Sequence, residues 1–396
     1  MVLVVGLAAC SNGGDLRHRA EAPTTTGGAA ARSSAQLAMV SFLSPQLGYG
    51  LVEDSDSEGG CSYQSTRLSR EGAVSRDTAV VTQWPCGDLP PATELFFDSS
   101  GDGFAFNPNL FVTNDAGRHW HSQDLGGTVV AVQLVDAAIW AAVAVCQSGE
   151  TTCPLKVLTS TDGGGHWQPL AAEPDLTTPG PIPSAQTAGN QTWLVATQST
   201  TYLLARPNPN QAGVGDQAVG VLTRDGGRSW QGWRVPCLVD AGSVMVASAP
   251  DGWLGAVCSG QPEAGFQPKS VSVSSDGGET WGVLGPCSGA NPGSASCVAS
   301  PLSSGYLGQV ASPRDGTIYD YGERSPLLVS TDAGRTWMTV PVVGNVNGEP
   351  FVISFLNPAI GYVLGELNTG RAPQTLWWTH DGGRTWVAVV GSSGVS

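Results

Sequence analysis

The sequence predicts an all-β protein, a seven-bladed β-propeller of four-stranded antiparallel blades, from three observations. An eight-residue motif recurs six times, glycine accounts for 53 of the 396 residues, and charged residues account for only 13%. Globular proteins usually contain about 7% glycine and about 25% charged residues, so this chain is rich in turns and poor in charge. The hydrophobic content of 41% is enough for a large core, which argues against a disordered chain.

The recurring motif has the pattern Ser/Thr-x-Asp-x-Gly-x-x-Trp. An aspartate in a tight turn accepts backbone N–H bonds, the glycine supplies a positive φ, and the tryptophan buries a large ring at the start of the next strand. Successive aspartates lie 47 to 63 residues apart, the length of one four-stranded propeller blade with variable loops. The aspartate and tryptophan positions are Asp115 and Trp120, Asp162 and Trp167, Asp225 and Trp230, Asp276 and Trp281, Asp332 and Trp337, and Asp381 and Trp386.

A second element, a short turn that leads into a glycine or aromatic residue, precedes each motif and occurs seven times. Clear copies contain Gly48, Gly103, Gly252, Gly316 and Gly361, and looser copies end at Trp140 and Trp193. The unmatched first copy is followed by residues 68–75, which align with the motif but have Glu71 for the aspartate and lack the tryptophan. We interpret this segment as a decayed seventh motif. The seven units predict a single propeller domain over residues 37–391, followed by a tail at 392–396.

The N-terminal segment MVLVVGLAAC resembles the lipobox of bacterial lipoproteins. It is too short to span a bilayer, which needs about 20 apolar residues. We therefore predict a signal peptide at residues 1–9, a lipid on Cys10, and a flexible tether of small polar residues at 10–36. The segment lacks a basic region, which indicates that the leader begins upstream of Met1. The alternative is an ordinary apolar N-terminus. The anchor predicts an extracytoplasmic protein on the outer face of the cell membrane.

The nine cysteines fit the same location. A lipid on Cys10 leaves eight, and disulfides persist in oxidising compartments. Eight cysteines permit about a hundred connectivities, so the pairing by sequence proximity is a hypothesis. The neighbouring pairs are Cys61 and Cys86, Cys146 and Cys153, Cys237 and Cys258, and Cys287 and Cys297.

The motifs resemble the Asp-box, or BNR repeat, of sialidases, sortilin-type receptors and other β-propellers. The phrases FLNPAIGYVLG and TLWWTHDGGRTW are most similar to the photosystem II assembly/stability factor family and its non-photosynthetic bacterial relatives. The resemblance implies that each box forms the turn between the third and fourth strands of a blade, at the periphery and away from the central site. The boxes specify the fold but are a poor indicator of function, because a propeller scaffold hosts unrelated activities. The resemblance to the assembly factors implies a role in binding or assembly.

A sialidase requires an Arg-Ile-Pro segment, three arginines that bind the substrate carboxylate, and a tyrosine activated by a carboxylate. No Arg-Ile-Pro occurs in this sequence, and five arginines lie inside the boxes. The tyrosine–carboxylate cluster closest to this pattern is Asp320, Tyr321 and Glu323 beside Arg324, which we interpret mainly as blade surface. We predict no catalytic residues, and an exo-glycosidase of the sialidase type is the alternative.

Other patterns are weaker. His119 and His121 could share a strand face, and Asp54, Asp56 and Glu58 resemble the opening of a calcium loop whose twelfth position is Ser65 rather than glutamate. An acidic solvated loop is the favoured interpretation, so we predict no metal and no cofactor. The net charge of −15 disfavours binding to nucleic acid. We expect a monomer that contacts the membrane through its lipid and binds an unknown protein or glycan ligand.

Overall fold

The computed structural model describes residues 35–69, 79–147, 152–179, 192–197, 199–205, 217–237, 243–249, 252–260, 267–286, 297–298, 301–302, 305–322, 325–340, 350–366 and 374–390. These residues contain no α-helix, and hence no helix that could cross a membrane. The predicted signal peptide at 1–9, Cys10, most of the tether at 10–36, the decayed box at Glu71 and the tail at 392–396 lie outside the described residues.

The strands of the described residues form seven sheets, which we number as blades 1 to 7 in chain order. Blade 1 contains β1 (Gln36–Ser44), β2 (Leu47–Ser55), β3 (Gly60–Leu68) and β4 (Ala79–Pro85). Blade 2 contains β5 (Glu94–Phe97), β6 (Gly103–Phe106), β7 (Leu110–Thr113) and β8 (His121–Gln123). Blade 3 contains β9 (Thr128–Val135), β10 (Ala138–Ala144), β11 (Thr152–Ser160), β12 (Gln168–Pro169) and β13 (Thr177–Pro179). Blade 4 contains β14 (Thr192–Ala196), β15 (Thr201–Ala205), β16 (Gln217–Thr223) and β17 (Gln231–Pro236).

Blade 5 contains β18 (Ser243–Ser248), β19 (Leu254–Ser259), β20 (Lys269–Ser274), β21 (Gly282–Pro286) and β22 (Cys297–Val298). Blade 6 contains β23 (Gln309–Ala311), β24 (Ile318–Tyr321), β25 (Leu328–Ser330) and β26 (Met338–Thr339). Blade 7 contains β27 (Pro350–Phe355), β28 (Gly361–Glu366), β29 (Gln374–Thr379) and β30 (Val387–Val390). Blades 3 and 5 each add one short strand to the four-stranded meander. β13 pairs with β11, and β22 runs parallel to β21.

Each blade is an antiparallel meander whose strands follow one another in sequence. First strands of neighbouring blades contact one another at six of the seven boundaries, including β27 of blade 7 with β1 of blade 1, and at the boundary between blades 2 and 3 β9 contacts β6. The first strand of each blade is therefore the innermost one. The prediction of a seven-bladed propeller is confirmed. None of the described strands is shared between the first and last blades; within the described part of the chain a hydrophobic layer and a hydrogen bond between Tyr362 and the Phe42 backbone join them.

The meander places its connections at two opposite ends. The turns between first and second strands and the boxes between third and fourth strands lie at one end, which we call the box end. Backbone bonds join the two turns there, as between Ala116 N–H and Gly101 O in blade 2 and between Ala333 N–H and Gly316 O in blade 6. The turns between second and third strands and the links between blades lie at the other end, which we call the connection end.

The hydrophobic core consists of seven separate layers, one at each boundary between neighbouring blades. Alternate side chains of a strand point to opposite faces of its sheet, so each blade contributes to the layer on either side of it. Trp377 and Trp378 show this alternation on β29. Trp377 packs in the layer against blade 6, whereas Trp378 packs in the layer against blade 1.

The glycines that begin several second strands are required by close packing. A side chain on Gly48 would collide with the ring of Phe42, and the same holds for Gly103 with Phe97. Gly361 is covered in this way by Phe355. The innermost strand thus lays an aromatic ring over its neighbour at this position. This explains the glycine in three of the elements that precede a box, whereas Gly252 and Gly316 adopt positive φ angles of 92° and 66°.

The described residues include the disulfides Cys61–Cys86, Cys146–Cys153 and Cys237–Cys258, three of the four predicted pairs. The first two lie within blades 1 and 3. Cys237 follows the last strand of blade 4 and Cys258 lies on β19 of blade 5, so this bond joins two blades. Cys287 and the side chain of Cys297 lie outside the described part of the chain.

Candidate functional site

The boxes share one hydrogen-bond pattern, which blade 4 illustrates. Thr223 Oγ1 donates to Asp225 Oδ1 at 2.8 Å and accepts the N–H of Gly227 at 2.9 Å. Asp225 also accepts the backbone N–H of Ser229 at 2.9 Å and its hydroxyl at 2.6 Å. The Ser229 hydroxyl and backbone bonds, with the bond from Thr223, lower the pKa of Asp225 to about 2. The carboxylate therefore serves as a turn cap that holds its charge, which leaves it poorly suited to accept a proton in catalysis.

The boxes also connect neighbouring blades, a function that sequence reasoning missed. Box glycine carbonyls accept hydrogen bonds from side chains of the preceding blade, as from Ser65 Oγ to Gly117 O at 2.6 Å. Tyr202 Oη donates to Gly277 O at 2.7 Å, and Tyr319 Oη donates to Gly382 O. The donors lie between about 50 and 75 residues away in sequence. No local pattern could identify them, since the pairing depends on how the blades are stacked.

The box tryptophans occupy similar positions with different degrees of burial. Trp337 and Trp386 are each 5% exposed, whereas the tryptophans of the other four boxes are partly exposed. The indole N–H of Trp120, Trp281, Trp337 and Trp386 donates to the glycine carbonyl of the same box. That of Trp230 donates to Ala172 O. The six tryptophans therefore occupy a common position in their boxes, but their burial and the hydrogen-bond partners of their indole N–H groups differ between blades.

The box arginines are exposed at the periphery of the box end and are spread over the boxes of four blades, so they do not converge as a substrate-binding triad would. Arg224 forms an ion pair with Glu279 at 3.2 Å, and Arg335 donates to the carbonyl of Asp332. These contacts lie within or between box turns. The other three box arginines, which are also exposed, are Arg118, Arg228 and Arg384.

Two members of the tyrosine–carboxylate cluster suggested by the sequence, Asp320 and Tyr321, lie inside the blade stack. Tyr321 is fully buried in the layer between blades 6 and 7, and a side chain on Gly365 would collide with its hydroxyl. Burial raises the pKa of Tyr321 above its ordinary value. Asp320 points to the other boundary, where Lys269 Nζ lies 3.9 Å from Asp320 Oδ2. Glu323 and Arg324, the other members of the cluster, lie outside the described residues.

Lys269 and Asp320 form a buried ion pair that sequence reasoning missed. Their side chains are 0% and 1% exposed, and Lys269 Nζ also donates to Leu302 O at 2.7 Å. Burial lowers the pKa of Lys269, and the charge of Asp320 opposes that shift. Burial raises the pKa of Asp320, and the charge of Lys269 opposes it. The pair joins β20 of blade 5 to β24 of blade 6, and its enclosure indicates a structural role.

The predicted histidine and calcium candidates take part in turns. His119 Nδ1 lies 2.6 Å from Asp115 Oδ2 within its own box, and His121 approaches Gln123. Asp56 Oδ1 accepts the backbone N–H groups of Glu58 and Gly60, each at 2.8 Å, and so caps the turn between β2 and β3. No three histidine, cysteine or acidic side chains of the described residues are placed to hold a metal ion.

Two clefts open on the described surface. One, of about 410 Å³, lies where the first strands of blades 4 to 7 reach the box end, and uncharged residues such as Thr197, Ser312 and Phe355 line it. The other, of about 630 Å³, lies at the connection end of blade 1 and is lined by Asp54, Asp56, Glu58, Ser62, Gln83 and Trp84 among others. We call it the blade-1 cleft. Trp84 was not singled out from the sequence, because it belongs to no repeat.

The box geometry agrees with the comparison with known families. The family model of the BNR repeat-like domain matches residues 107–350. The chain belongs to this family. A search of curated proteins gives no match.

Solved structures show the fold that this BNR repeat protein shares with others. YCF48 from Cyanidioschyzon merolae is 14% identical and covers 88% of this chain and 96% of its own, with a TM-score of 0.52. The β-propeller domain of the trilobed protease from Pyrococcus furiosus is 11% identical and covers 90% and 98%, with a TM-score of 0.53. YCF48 bound to a D1 peptide is 18% identical and covers 84% and 91%, with a TM-score of 0.49.

Proposed function

We propose that this protein is a non-catalytic propeller that is held on the outer face of a bacterial cell membrane by a lipid on Cys10 and binds a protein partner. The observation that carries the proposal is the position of Tyr321. A glycosidase nucleophile must reach the substrate, but this tyrosine is 0% exposed and packs against blade 7. Its neighbour Asp320 is committed to Lys269. Tyr321 and Asp320, the two described members of the cluster that most resembled catalytic machinery, are thus part of the interior.

Binding through a propeller end is consistent with the way the chain is built. Rigid blades hold turns and links at both ends, and binding residues commonly lie on such loops above a rigid scaffold. The blade-1 cleft and the turns around it lie at the connection end. We propose this end as the partner surface. The disulfides support an extracytoplasmic location, because such bonds persist in oxidising compartments.

The proposal is tested on the full chain in its native membrane. A photo-crosslinking amino acid at Asp88, which is exposed at the connection end, is expected to give a discrete protein adduct. The same group at Asp136, exposed at the box end of blade 3, is the matched control and is expected to give none. The detergent-solubilised chain is also expected to leave a fluorogenic sialoside intact. Robust turnover that Tyr321→Phe abolishes would show a glycosidase, and crosslinks at neither position would refute the partner surface.

The anchor has its own test. Cys10→Ala removes the only thiol that the lipobox could modify, so the chain is expected to lose its membrane association and to become insensitive to globomycin. Membrane fractionation and gel mobility measure both effects. Cys146→Ala, which removes a cysteine of a disulfide far along the chain, is the control and should remain in the membrane fraction. Membrane retention of the Cys10→Ala chain would rule out the lipid anchor.

A further inference from the structure

The connection end of blades 1 and 2 is strongly acidic. Among the described residues of these two blades, the only arginine or lysine side chains are Arg67 and Arg118, and both lie at the box end, as do His119 and His121. Opposed positive charge is therefore absent from this part of the described surface. Such a field attracts cationic partners and repels anionic ones. The acidic residues at this end are Glu53, Asp54, Asp56, Glu58, Asp88, Glu94 and Asp124. Burial raises the pKa of Glu53 and raises that of Glu94 to about 7, so these two carry less of the charge than the others.

The blade-1 cleft lies within this acidic region and contains a carboxylate oxygen that lacks a partner. Asp54 Oδ1 is shielded from solvent and has no hydrogen-bond partner among the described residues. A shielded carboxylate oxygen without a donor costs free energy, which a cationic donor placed in the cleft would offset. Asp54 lines the cleft together with Asp56 and Glu58, so three carboxylates lie along its walls, although they are not placed to hold one ion between them.

The rest of the cleft is preorganised. Trp84 forms a partly exposed wall, and its ring packs on that of Tyr63 with centroids 4.5 Å apart. The Cys61–Cys86 disulfide fixes the two strands beside Trp84, and Asp56 is held by two backbone N–H bonds. A fixed indole face with carboxylates beside it suits a guanidinium or ammonium group, because the face of the ring attracts cations. Arginine is found in such contacts more often than lysine.

We propose that the blade-1 cleft binds an arginine or lysine side chain of a basic segment in the protein partner. This inference rests on the proposed function and names the chemistry of that partner. A divalent cation suits the cleft less well, because the described residues offer no group of three ligands and the indole wall supplies none. The cationic side chain would pair with Asp54 and lie against Trp84, and the acidic rim would bind the neighbouring positive charges of the segment.

The test measures the binding of a nona-arginine peptide to the detergent-solubilised full chain by calorimetry. The double variant Asp54→Asn, Glu58→Gln is expected to bind at least about tenfold more weakly, because it removes two of the three carboxylates and retains the Asp56 turn cap. Trp84→Leu is expected to weaken binding several-fold. Asp136→Asn removes one charge at the box end and is expected to have no effect. Binding by the natural chain should also weaken as salt increases, since exposed charges are screened.

A set of outcomes would overturn the inference. Equal affinity of the natural chain and the double variant would show that the peptide binds elsewhere, and an equal loss with Asp136→Asn would show a non-specific charge effect. Calcium binding that competes with the peptide and is lost in Asp54→Asn would identify a metal site instead. The melting temperature of each variant without peptide verifies folding. If the Asp88 crosslink to a partner survives in the double variant, the cleft is refuted while the proposed function stands; if it is absent from the natural chain, the proposed function itself fails.

Discussion

Replacing Asp320 by alanine is expected to destabilise the propeller by about 3–5 kcal/mol, because the change leaves the Lys269 ammonium buried without its carboxylate. The two side chains are 0% and 1% exposed, and Lys269 Nζ lies 3.9 Å from Asp320 Oδ2. The carbonyl of Leu302 also accepts a hydrogen bond from Lys269, but it supplies only a partial negative charge. The free energy of unfolding, measured by urea titration, tests this expectation.

Two further variants separate the ion pair from other causes. Lys269→Met combined with Asp320→Leu removes both charges and fills similar volume, so it is expected to recover most of the lost stability. Asp88→Ala removes an exposed carboxylate and is expected to change stability by less than about 0.5 kcal/mol. A loss below about 1 kcal/mol for Asp320→Ala, or a double variant as unstable as the single one, would show that the pair does not hold blades 5 and 6 together.

The buried pair also shows which features a sequence can predict for a propeller. The box of blade 4 was predictable because Thr223, Asp225, Gly227 and Ser229 bond to one another within a few residues. Each blade is likewise a local meander, so repeat spacing gives the blade count. The Cys61–Cys86 disulfide follows the same logic, because Cys61 lies on β3 and Cys86 directly follows the adjacent strand β4 of the same blade.

Apart from the Cys237–Cys258 disulfide, which proximity in sequence predicted, contacts between blades could not be predicted, because they depend on how one sheet stacks on the next. Lys269 and Asp320 lie on separate repeats, and neither has a counterpart in the other blades that would mark it. Tyr321 was expected on a blade surface, yet its strand turns it into the layer against blade 7. The blade-1 cleft was also missed as a whole. Its acidic turn was visible in the sequence, but the approach of Trp84 required the register between β3 and β4.

The boundary between blades 1 and 7, where the ring closes, is built around Trp378. Trp378 is 1% exposed on β29, and its ring lies 4.7 Å from that of Phe42 on β1 and 5.7 Å from that of Tyr362. Every other pair of neighbouring blades is also joined by the chain, whereas among the described residues blades 1 and 7 are held by this layer and by a hydrogen bond between Tyr362 and the backbone of Phe42. Trp378→Ala is therefore expected to cost about 3–5 kcal/mol through the cavity it leaves.

Trp377→Ala is the matched control, because Trp377 is as buried as Trp378 on the same strand but faces blade 6. Neither indole N–H has a hydrogen-bond partner among the described residues, so both changes remove packing alone. Both variants should lose similar free energy of unfolding. Only Trp378→Ala should speed amide hydrogen exchange in β1, since opening between blades 1 and 7 needs no chain linker to stretch. Equal exchange of β1 in the two variants would mean that the ring unfolds as one unit and that the seam between its ends is no weaker than the other boundaries.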